Sequence, residues 1–308
     1  MTVSVLVPTF RRNEPLARAL ESLFAQDRTP AEIVVADNAP DAAARPVVEA
    51  LRGRAPCRLV YVHVPDPGVA NARNAGFAAA TGRMIAQLDD DESASAGWLS
   101  ALVDARDRFD AGLVFGPVRS EPPAGAGGLR RAYVARLYAR TPDLASGPIG
   151  KPFGCGNSLI DRARVALPDP PFDPRANETG GEDDRLFSAL IRSGARMAWA
   201  TGAVVTEHVE PGRARFASLL RRSFAYGQGP SQTAADHGRA LETLGWMGVG
   251  ALQFAAFGVL ALPAALGSPQ AGASMIDRAA QGTGKLVWAQ SLAPRLYGAA
   301  RLRAGGSA

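Results

Sequence analysis

The chain has 308 residues, of which 47% are hydrophobic and 20% are charged, a composition that supports a packed core and argues against intrinsic disorder. The net charge of +5 is uneven: residues after 212 carry ten Lys or Arg and three Asp or Glu, whereas residues 1–212 carry a net charge of −2. A basic tail favours an anionic partner such as a membrane surface or a lipid phosphate, and the sequence shows no nucleic-acid-recognition signature, which argues against nucleic acid.

The first half of the chain alternates strand-like and helix-like segments. Short apolar runs predict buried strands at Val3–Val7, Ile33–Ala36, Leu59–Val64 and Met84–Leu88. Between them, helical patterns appear, among them one over Ala70–Ala80. This alternation is typical of βαβ units. It predicts an α/β fold in which helices flank a mostly parallel, Rossmann-like sheet.

Three of these strands end in residues suited to ligand binding. Pro8-Thr9 follows the first strand, Asp37 follows the second, and Asp89-Asp90-Asp91 follows the fourth. In open α/β sheets, ligands bind outside the carboxyl ends of the strands. We therefore expect these residues to converge on one crevice.

The acidic run Asp89-Asp90-Asp91 is the sharpest of these features. Asp89 and Asp91 are two residues apart at a strand end, so both side chains can turn to one side and hold Mg²⁺ or Mn²⁺ with diphosphate oxygens. The alternative is a solvated acidic turn, or an N-cap for a helix over Ser95–Phe109.

Four further features each have a functional and a structural interpretation. Asp37 can accept a hydrogen bond from a nucleobase imide or form an Asx turn, and Arg73 can face a diphosphate or solvent. Glu182-Asp183 begins a helix and can supply a general base, or simply stabilise the helix dipole. His208 can be a third metal ligand or a buried residue at a sheet edge.

The last third of the chain changes character. Residues 120–150, rich in Gly, Pro and Arg, predict a mobile connection, and Phe216–Tyr226 predicts a basic amphipathic helix. Gly245–Leu266 is an uncharged run of 22 residues, which suits a membrane span, an interfacial helix or a buried helix. A second basic and apolar stretch covers Lys285–Arg303.

The cellular location predicted from these patterns is the inner face of the cell membrane. The chain starts directly with a strand pattern and shows no secretory signal, and its two cysteines, Cys57 and Cys155, fit a reducing compartment. We expect a cytoplasmic protein that is peripheral or integral at that membrane.

The order and spacing of these motifs resemble the family 2 glycosyltransferases with the GT-A fold. The resemblance covers nearly all of residues 1–212. It rests on the segments Val3–Phe10, Glu32–Asn38, Asn71–Gly76, Leu88–Glu92, Gly156–Ser158 and Gly181–Asp183, and on His208. Each motif is modest, but their combination in this order is highly specific.

The resemblance implies a role for each matching position. The implied donor contacts are Pro8, Thr9, Arg11, Asp37, Arg73, Asp89 and Asp90. A divalent metal, Mn²⁺ or Mg²⁺, would be held by Asp89, Asp91 and His208, with Asp91 as the direct ligand. Asp183 resembles the catalytic base, with Glu182 beside it, and the implied acceptor contacts are Gly156, Asn157 and Glu182.

The implied function is transfer of a sugar from a nucleotide-sugar, UDP-linked by preference, to an acceptor hydroxyl with inversion. Relatives that build exopolysaccharide or O-antigen suggest a lipid-linked saccharide as acceptor. One departure, Asp37-Asn38-Ala39 where the family more often has two acids or Asp-Asp-Gly, puts the nucleobase preference in doubt.

The expected organisation is a catalytic domain over 1–212 and a helical, membrane-associated region over 213–308. Within the first, 1–118 would bind the donor and 150–212 the acceptor. Two rival functions stay open. One is a membrane-docked nucleotide- or sugar-binding scaffold without turnover. The other is a nucleotidyltransferase, although the Pro8–Arg12 loop lacks the glycines that a triphosphate loop needs.

Overall fold

A computed structural model describes residues 2–177, 180–292 and 294. The described chain divides into two compact units. The first comprises residues 2–119 and 140–208, apart from 178 and 179, and the second comprises 120–139 and the described residues from 209 onward.

The strands of the described residues are numbered in chain order. They are β1 (Val3–Thr9), β2 (Glu32–Asp37), β3 (Arg58–His63), β4 (Met84–Leu88), β5 (Glu92–Ala94), β6 (Leu113–Phe115), β7 (Val118–Glu121), β8 (Gly147–Pro148), β9 (Asn157–Asp161), β10 (Met197–Trp199) and β11 (Val205–His208). The four strands predicted from apolar runs correspond to β1–β4, with ends that differ by at most two residues.

The α-helices of the described residues are numbered in the same way. They are α1 (Asn13–Phe24), α2 (Arg45–Arg52), α3 (Val69–Ala79), α4 (Trp98–Arg108), α5 (Gly128–Tyr138), α6 (Glu182–Arg192), α7 (Phe216–Asp236), α8 (Ala240–Gly267) and α9 (Pro269–Leu286).

The central feature of the first unit is an eight-stranded sheet in the order β3-β2-β1-β4-β9-β6-β10-β8. Strands β1–β4 are mutually parallel, β9 runs antiparallel to β4 and β6, and β8 runs antiparallel to β10. The prediction of a mostly parallel α/β sheet is therefore confirmed. Three short strands form a second sheet in the order β5-β11-β7.

Strand register places the predicted site residues at one edge of the large sheet. Thr9 at the end of β1 lies opposite Asp37 at the end of β2, and Leu6 of β1 lies opposite Gln87 of β4. The parallel strands therefore end together, and Asp89 begins the loop that leaves β4 at this edge.

Alternation along the strands explains why both faces of the sheet are buried. In β1, Val5 and Val7 point into one apolar cluster, which α1, α2 and α4 cover, while Leu6 points into the other. Phe77 of α3 and Leu186 of α6 close that second face. A sheet buried on both sides requires the near-continuous apolar runs from which β1–β4 were predicted.

A buried ion cluster lies at the opposite edge of the sheet from the predicted site. Asp161 ends β9 opposite Met84, the first residue of β4. Its carboxylate accepts hydrogen bonds from Arg83 Nε at 3.0 Å and Arg106 Nε at 2.7 Å. Asp161 and Arg106 are almost fully buried, so their charges depend on each other.

The second unit is built mainly from α5, α7, α8 and α9. Its core contains Tyr133 of α5, whose hydroxyl lies 2.7 Å from Ser223 Oγ of α7. Ser223 donates to Asp277 of α9 at 2.8 Å, and Arg136 of α5 donates to the same carboxylate at 2.6 Å. The prediction of a mobile connection over residues 120–150 was therefore wrong in part. Residues 128–138 form α5, which packs against α7 and α9 through buried apolar contacts and hydrogen bonds.

The long apolar run in the tail forms part of α8. Among the described residues, α8 is the helix whose length and composition would allow it to cross a membrane. The helix predicted from Phe216–Tyr226 is the first half of α7, which continues to Asp236. Of the basic stretch predicted at Lys285–Arg303, residues 293 and 295–303 lie outside the described residues.

Candidate active site

The buried carboxylate of Asp90 connects the loops after β1 and β4. Its Oδ2 accepts hydrogen bonds from Thr9 Oγ1 at 2.7 Å and from the Phe10 amide at 3.4 Å. Its Oδ1 accepts from Arg12 Nη1 at 3.0 Å. These contacts give Asp90 a structural role, in which it holds the two loops together, and its direct contact with a donor stays a prediction.

Arg12, which was not among the predicted site residues, reaches the acidic run. One guanidinium nitrogen, Nη1, lies 3.0 Å from Asp90 Oδ1 and 2.9 Å from Asp91 Oδ2. The neighbouring Arg11, which was predicted, is exposed and pairs with Asp41 at 3.2 Å. Arg11 has a left-handed backbone with φ of 50°, and this turn directs the two adjacent arginines to different partners.

A second arginine occupies the middle of the site. Arg73 of α3 is buried, donates to Asp89 Oδ1 at 3.0 Å, and places its Nε 3.7 Å from Glu182 Oε1. Among the described residues, its Nε and Nη1 have no hydrogen-bond partner. Arg73 therefore joins the acid that follows β4 to the first residue of α6, and its guanidinium has capacity to bind an anion.

Asp183 lies one residue into α6, after Gly180 and Gly181, which both have positive φ. Its Oδ1 accepts from the Asp184 amide at 2.9 Å, and its Oδ2 lies 3.4 Å from the Cys155 amide nitrogen. Unlike the buried Glu182, it is partly exposed. A partly exposed carboxylate at a helix start suits the predicted general base.

Gly156 lies directly beneath the acids that follow β4. A Cβ atom on Gly156 would lie 2.6 Å from Asp89 Oδ2 and 3.0 Å from Glu92 Oε1. Arg140 approaches the same Glu92 carboxylate at 3.6 Å. The structure therefore gives Gly156 a steric role, in which the missing side chain leaves room for two carboxylates. The acceptor contact of Gly156 stays a prediction.

The side chains of two predicted ligand-binding residues are occupied within the protein. Asn157 is buried, accepts from Trp98 Nε1 at 2.8 Å and donates to the carbonyls of Pro117 and Ala203. Asp37 is also buried and accepts from the amides of Ala39 and Ala44 and from the Tyr61 hydroxyl. The Ala39 contact is an Asx turn. The bonds of Asp37 agree with its structural interpretation, and the ligand contacts of both residues stay predictions.

His208 is close to the acidic run through its backbone. Its amide donates to the Asp91 carbonyl at 2.8 Å, while its Nε2 lies 2.8 Å from Ser93 Oγ. The described residues contain no group of three or more His, Cys, Asp or Glu arranged to hold a metal. Asp89, Asp91 and His208 therefore stay a predicted ligand set.

The carboxylate oxygens of Asp89 and Asp91 nevertheless suit a hard divalent cation as ligands. Mg²⁺ and Mn²⁺ are commonly held by one or two carboxylates while substrate phosphates and water complete the shell. Asp89 offers a partly exposed carboxylate, and Asp91 offers a buried one in the same loop. Arg73 and Arg12 hold positive charge against these two carboxylates in the structure.

Burial of several acids at this edge changes their proton affinity. Burial raises the pKa of Asp90 to about 6, against the opposing charge of Arg12. Burial likewise raises the pKa of Glu182, with Arg73 opposing it, and raises the pKa of Glu92 well above its ordinary value, with Asp89 adding to the shift. Such clusters of perturbed acids are typical of functional sites.

Sequence reasoning missed Arg12, Glu92 and Arg140 as parts of the site. Glu92 is the last acid of the Asp89–Glu92 run, but the sequence does not show that it is buried. Its burial depends on a turn that brings its carboxylate back to Asp89, whose amide donates to Glu92 Oε2 at 3.2 Å. Arg140 lies in a region predicted to be mobile, and no local pattern singles it out.

Comparison with protein families gives a match over the first half of the chain. Residues 4–163 match the model described as glycosyl transferase family 2. The chain is 34% identical over 242 residues to the succinoglycan biosynthesis protein ExoM of Rhizobium meliloti strain 1021, covering 78% of this chain and 75% of that protein.

Comparison of folds gives solved structures of TarS from S. aureus. TarS 1–349 in complex with UDP has a TM-score of 0.52 at 18% identity, covering 72% of this chain and 64% of that one. The same fragment with UDP-GlcNAc has a TM-score of 0.50 at 16% identity. The chain therefore spans just under two thirds of this solved fragment, and at such identity the likeness concerns the fold.

Proposed function

This chain belongs to glycosyltransferase family 2, and from that premise we propose that it transfers a sugar from a nucleotide-sugar to an acceptor hydroxyl. The predicted family and GT-A fold are confirmed by the family match and by the fold shared with TarS. That the protein is a glycosyltransferase follows from the same matches. The donor, metal, acceptor and location are the parts that we propose.

The observation that carries the proposal is the juxtaposition of Asp89, Arg73 and Glu182 at the carboxyl edge of the sheet. Arg73 lies 3.0 Å from Asp89 and 3.7 Å from Glu182, the residue before Asp183. The Arg73 guanidinium therefore lies between Asp89, on the proposed donor side, and Glu182, on the proposed acceptor side. A sugar bound between Asp89 and Asp183 would be in contact with both sides.

On the donor side, Asp89 and Asp91 would hold a divalent metal, which would supply positive charge against the departing nucleoside diphosphate. Thr9 and Asp90 hold the β1 loop against these acids, and the buried Arg73 beside Asp89 is a cation that could bind a phosphate oxygen. The TarS structures contain UDP or UDP-GlcNAc, which supports a uridine nucleotide as the first donor to test.

On the acceptor side, we assign Asp183 as the general base. Its carboxylate would take the proton from the acceptor hydroxyl as that oxygen attacks the anomeric carbon and the nucleoside diphosphate departs. The displacement is direct and inverts the anomeric centre, so no nucleophile on the protein is required. The buried Glu182 pairs with Arg73 and would form part of the acceptor-binding surface beside Asp183.

The proposed pathway is exopolysaccharide synthesis on a lipid-linked saccharide. The similar protein ExoM is named for succinoglycan biosynthesis, which supports an acceptor of this class. The basic tail and the apolar α8 support the proposal that the enzyme acts at a membrane surface. We propose the inner face of the cell membrane as that surface. The predicted catalytic region of 1–212 and membrane-associated region of 213–308 belong to the same proposal.

The first experiment is a thermal-shift panel of UDP, dTDP, GDP and CDP, each with Mn²⁺ or with EDTA. A ligand at about 100 times its Kd stabilises the folded protein by about 2.7 kcal/mol. We expect a shift with UDP that requires Mn²⁺ and that is lost in Asp91→Asn. Asp104→Asn makes the same chemical change at an exposed site of α4 and should keep the shift.

Three outcomes are informative. A metal-dependent shift with one other nucleotide would replace the uridine assignment and keep the donor site. A nucleotide shift without any transfer of radiolabelled sugar to lipid-extractable saccharide would favour the scaffold function. A well-folded sample with no shift for any nucleotide would contradict the proposal.

A further inference from the structure

One face of α8 is apolar and is not covered by any of the described residues. Leu252 is 73% exposed and Val259 is 77% exposed, and the helix carries no charge from Gly245 to Leu266. With 28 residues at about 1.5 Å each, α8 is about 42 Å long, which exceeds the hydrocarbon core of a bilayer of about 30 Å. Length alone would therefore permit either a spanning or an in-plane helix.

The opposite side of α8 packs closely along α9. A Cβ atom added to Gly250 would lie 2.7 Å from the Gly282 carbonyl oxygen, and one added to Gly272 would lie 2.6 Å from Ala265 Cβ. These two contacts, at separated points along the helices, show that α8 and α9 are antiparallel. Small residues allow this close approach, as they do between helices in membranes.

α9 carries charged groups at the level of the middle of the apolar run. The centre of Gly245–Leu266 lies between Ala255 and Ala256, just before Phe257, and the guanidinium carbon of Arg278 lies 5.1 Å from the Phe257 ring centroid. Arg278 is exposed, so its charge reaches the surface beside this ring. A spanning α8 would hold Arg278 near the bilayer midplane, which costs about 2.5–3.5 kcal/mol on insertion scales.

The far side of α9 is packed against polar parts of the same unit. Asp277 is buried and accepts from Arg136 of α5 and Ser223 of α7. Gly227 of α7 approaches the backbone of α9 so closely that a Cβ there would lie 2.1 Å from the Gln281 carbonyl oxygen. An upright α8 would therefore draw α9 and α7, with their polar groups, into the hydrocarbon core.

We propose that α8 lies in the plane of an anionic phospholipid bilayer, with its Leu252 and Val259 face in the acyl chains and its glycine-bearing face on α9. Arg278 then lies at the level of the lipid phosphates, and the basic excess of the tail complements their charge. This inference rests on the membrane association proposed above and selects one of its possible geometries.

The test measures membrane depth at four positions of the apolar face. Single cysteines replace Leu244, Leu252, Val259 and Leu266 in the full chain carrying Cys57→Ser, and each is labelled with an environment-sensitive fluorophore. The four positions lie within about 80° of one another around the helix and spread over about 33 Å of its length. The protein is bound to phosphatidylcholine vesicles containing phosphatidylglycerol, and nitroxide lipids of different depth quench the label.

We expect quenching that reports a similar, shallow depth at all four positions. Glu49→Cys, exposed on α2, is the control and should not be quenched by lipid nitroxides. The Cys57→Ser parent, which keeps the buried Cys155, gives the labelling background. A deep value at Leu252 and Val259 with shallow values at both end positions would show a spanning helix and overturn the inference.

Absence of lipid quenching at all four positions would also overturn the inference of an in-plane helix. If the protein then self-associated in a sedimentation experiment, the apolar face of α8 would be assigned to contact with a second copy of the chain. Sugar transfer is measured on the same samples to separate the two proposals. Uniform shallow depth without sugar transfer would count against the proposed function alone. Sugar transfer by a spanning helix would count against the in-plane geometry alone.

Discussion

Replacing Gly156 with alanine should impair catalysis while leaving the fold intact. The added Cβ would lie 2.6 Å from Asp89 Oδ2, whereas ordinary contact begins at 3.4 Å, so the carboxylate must move by about 0.8 Å. Asp89 cannot move without lengthening its 3.0 Å hydrogen bond to Arg73. A misplacement near 1 Å at a reacting centre costs up to about 100-fold in rate, or about 2.7 kcal/mol of transition-state stabilisation.

We therefore expect kcat of Gly156→Ala for sugar transfer to fall by roughly 30- to 100-fold, within the range that such displacements produce. The thermal midpoint should change little, because the crowded atoms are the ends of side chains. Gly154→Ala is the matched control in the same loop, where the Cβ would meet Arg140 at 3.4 Å and Asp183 at 3.5 Å, both ordinary contacts. Equal activity of the two variants would refute the idea that Gly156 leaves room for Asp89.

Asp183→Asn should lower kcat by about 100- to 10,000-fold, the range for loss of a general base, while the thermal shift with nucleotide and Mn²⁺ stays unchanged; loss of that shift would place Asp183 on the donor side instead. Asp161→Asn should lower the free energy of unfolding by about 3 kcal/mol at pH 7, measured by urea denaturation, because it leaves buried Arg106 without its counter-charge. Although burial opposes it, hydrogen bonding from Arg83 and Arg106 lowers the pKa of Asp161, so its contribution is present at neutral pH and is lost as the pH falls below 3.8. The parent and this variant should therefore converge in acid, and a constant difference down to pH 2 would contradict the assignment. Gly227→Ala should destabilise the protein by about 1–3 kcal/mol through overpacking against the α9 backbone. Gly229→Ala on the same helix meets nothing within 4 Å and should be neutral or stabilising.

The sequence alone determined where β1–β4 lie in the chain and the edge of the sheet at which their polar residues meet. A strand buried on both faces needs a continuous apolar run, and a parallel sheet brings the carboxyl ends of its strands together, so both facts can be inferred from local patterns. The family resemblance added Asp183 as the proposed base, a role that its helix-start pattern alone could not distinguish from dipole stabilisation.

Only the tertiary structure decided which side chain meets which. Arg11 and Arg12 are identical in type and adjacent, and the backbone turn at Arg11 sends Arg12 to Asp90 and Asp91. The burial of Asn157 against Trp98 likewise depends on packing between β9 and α4, because the two residues are 59 positions apart in sequence. Hydrogen bonds and ion pairs between distant segments leave no periodic trace in a sequence, whereas the apolar pattern of a strand or helix does, because burial repeats with the period of the element.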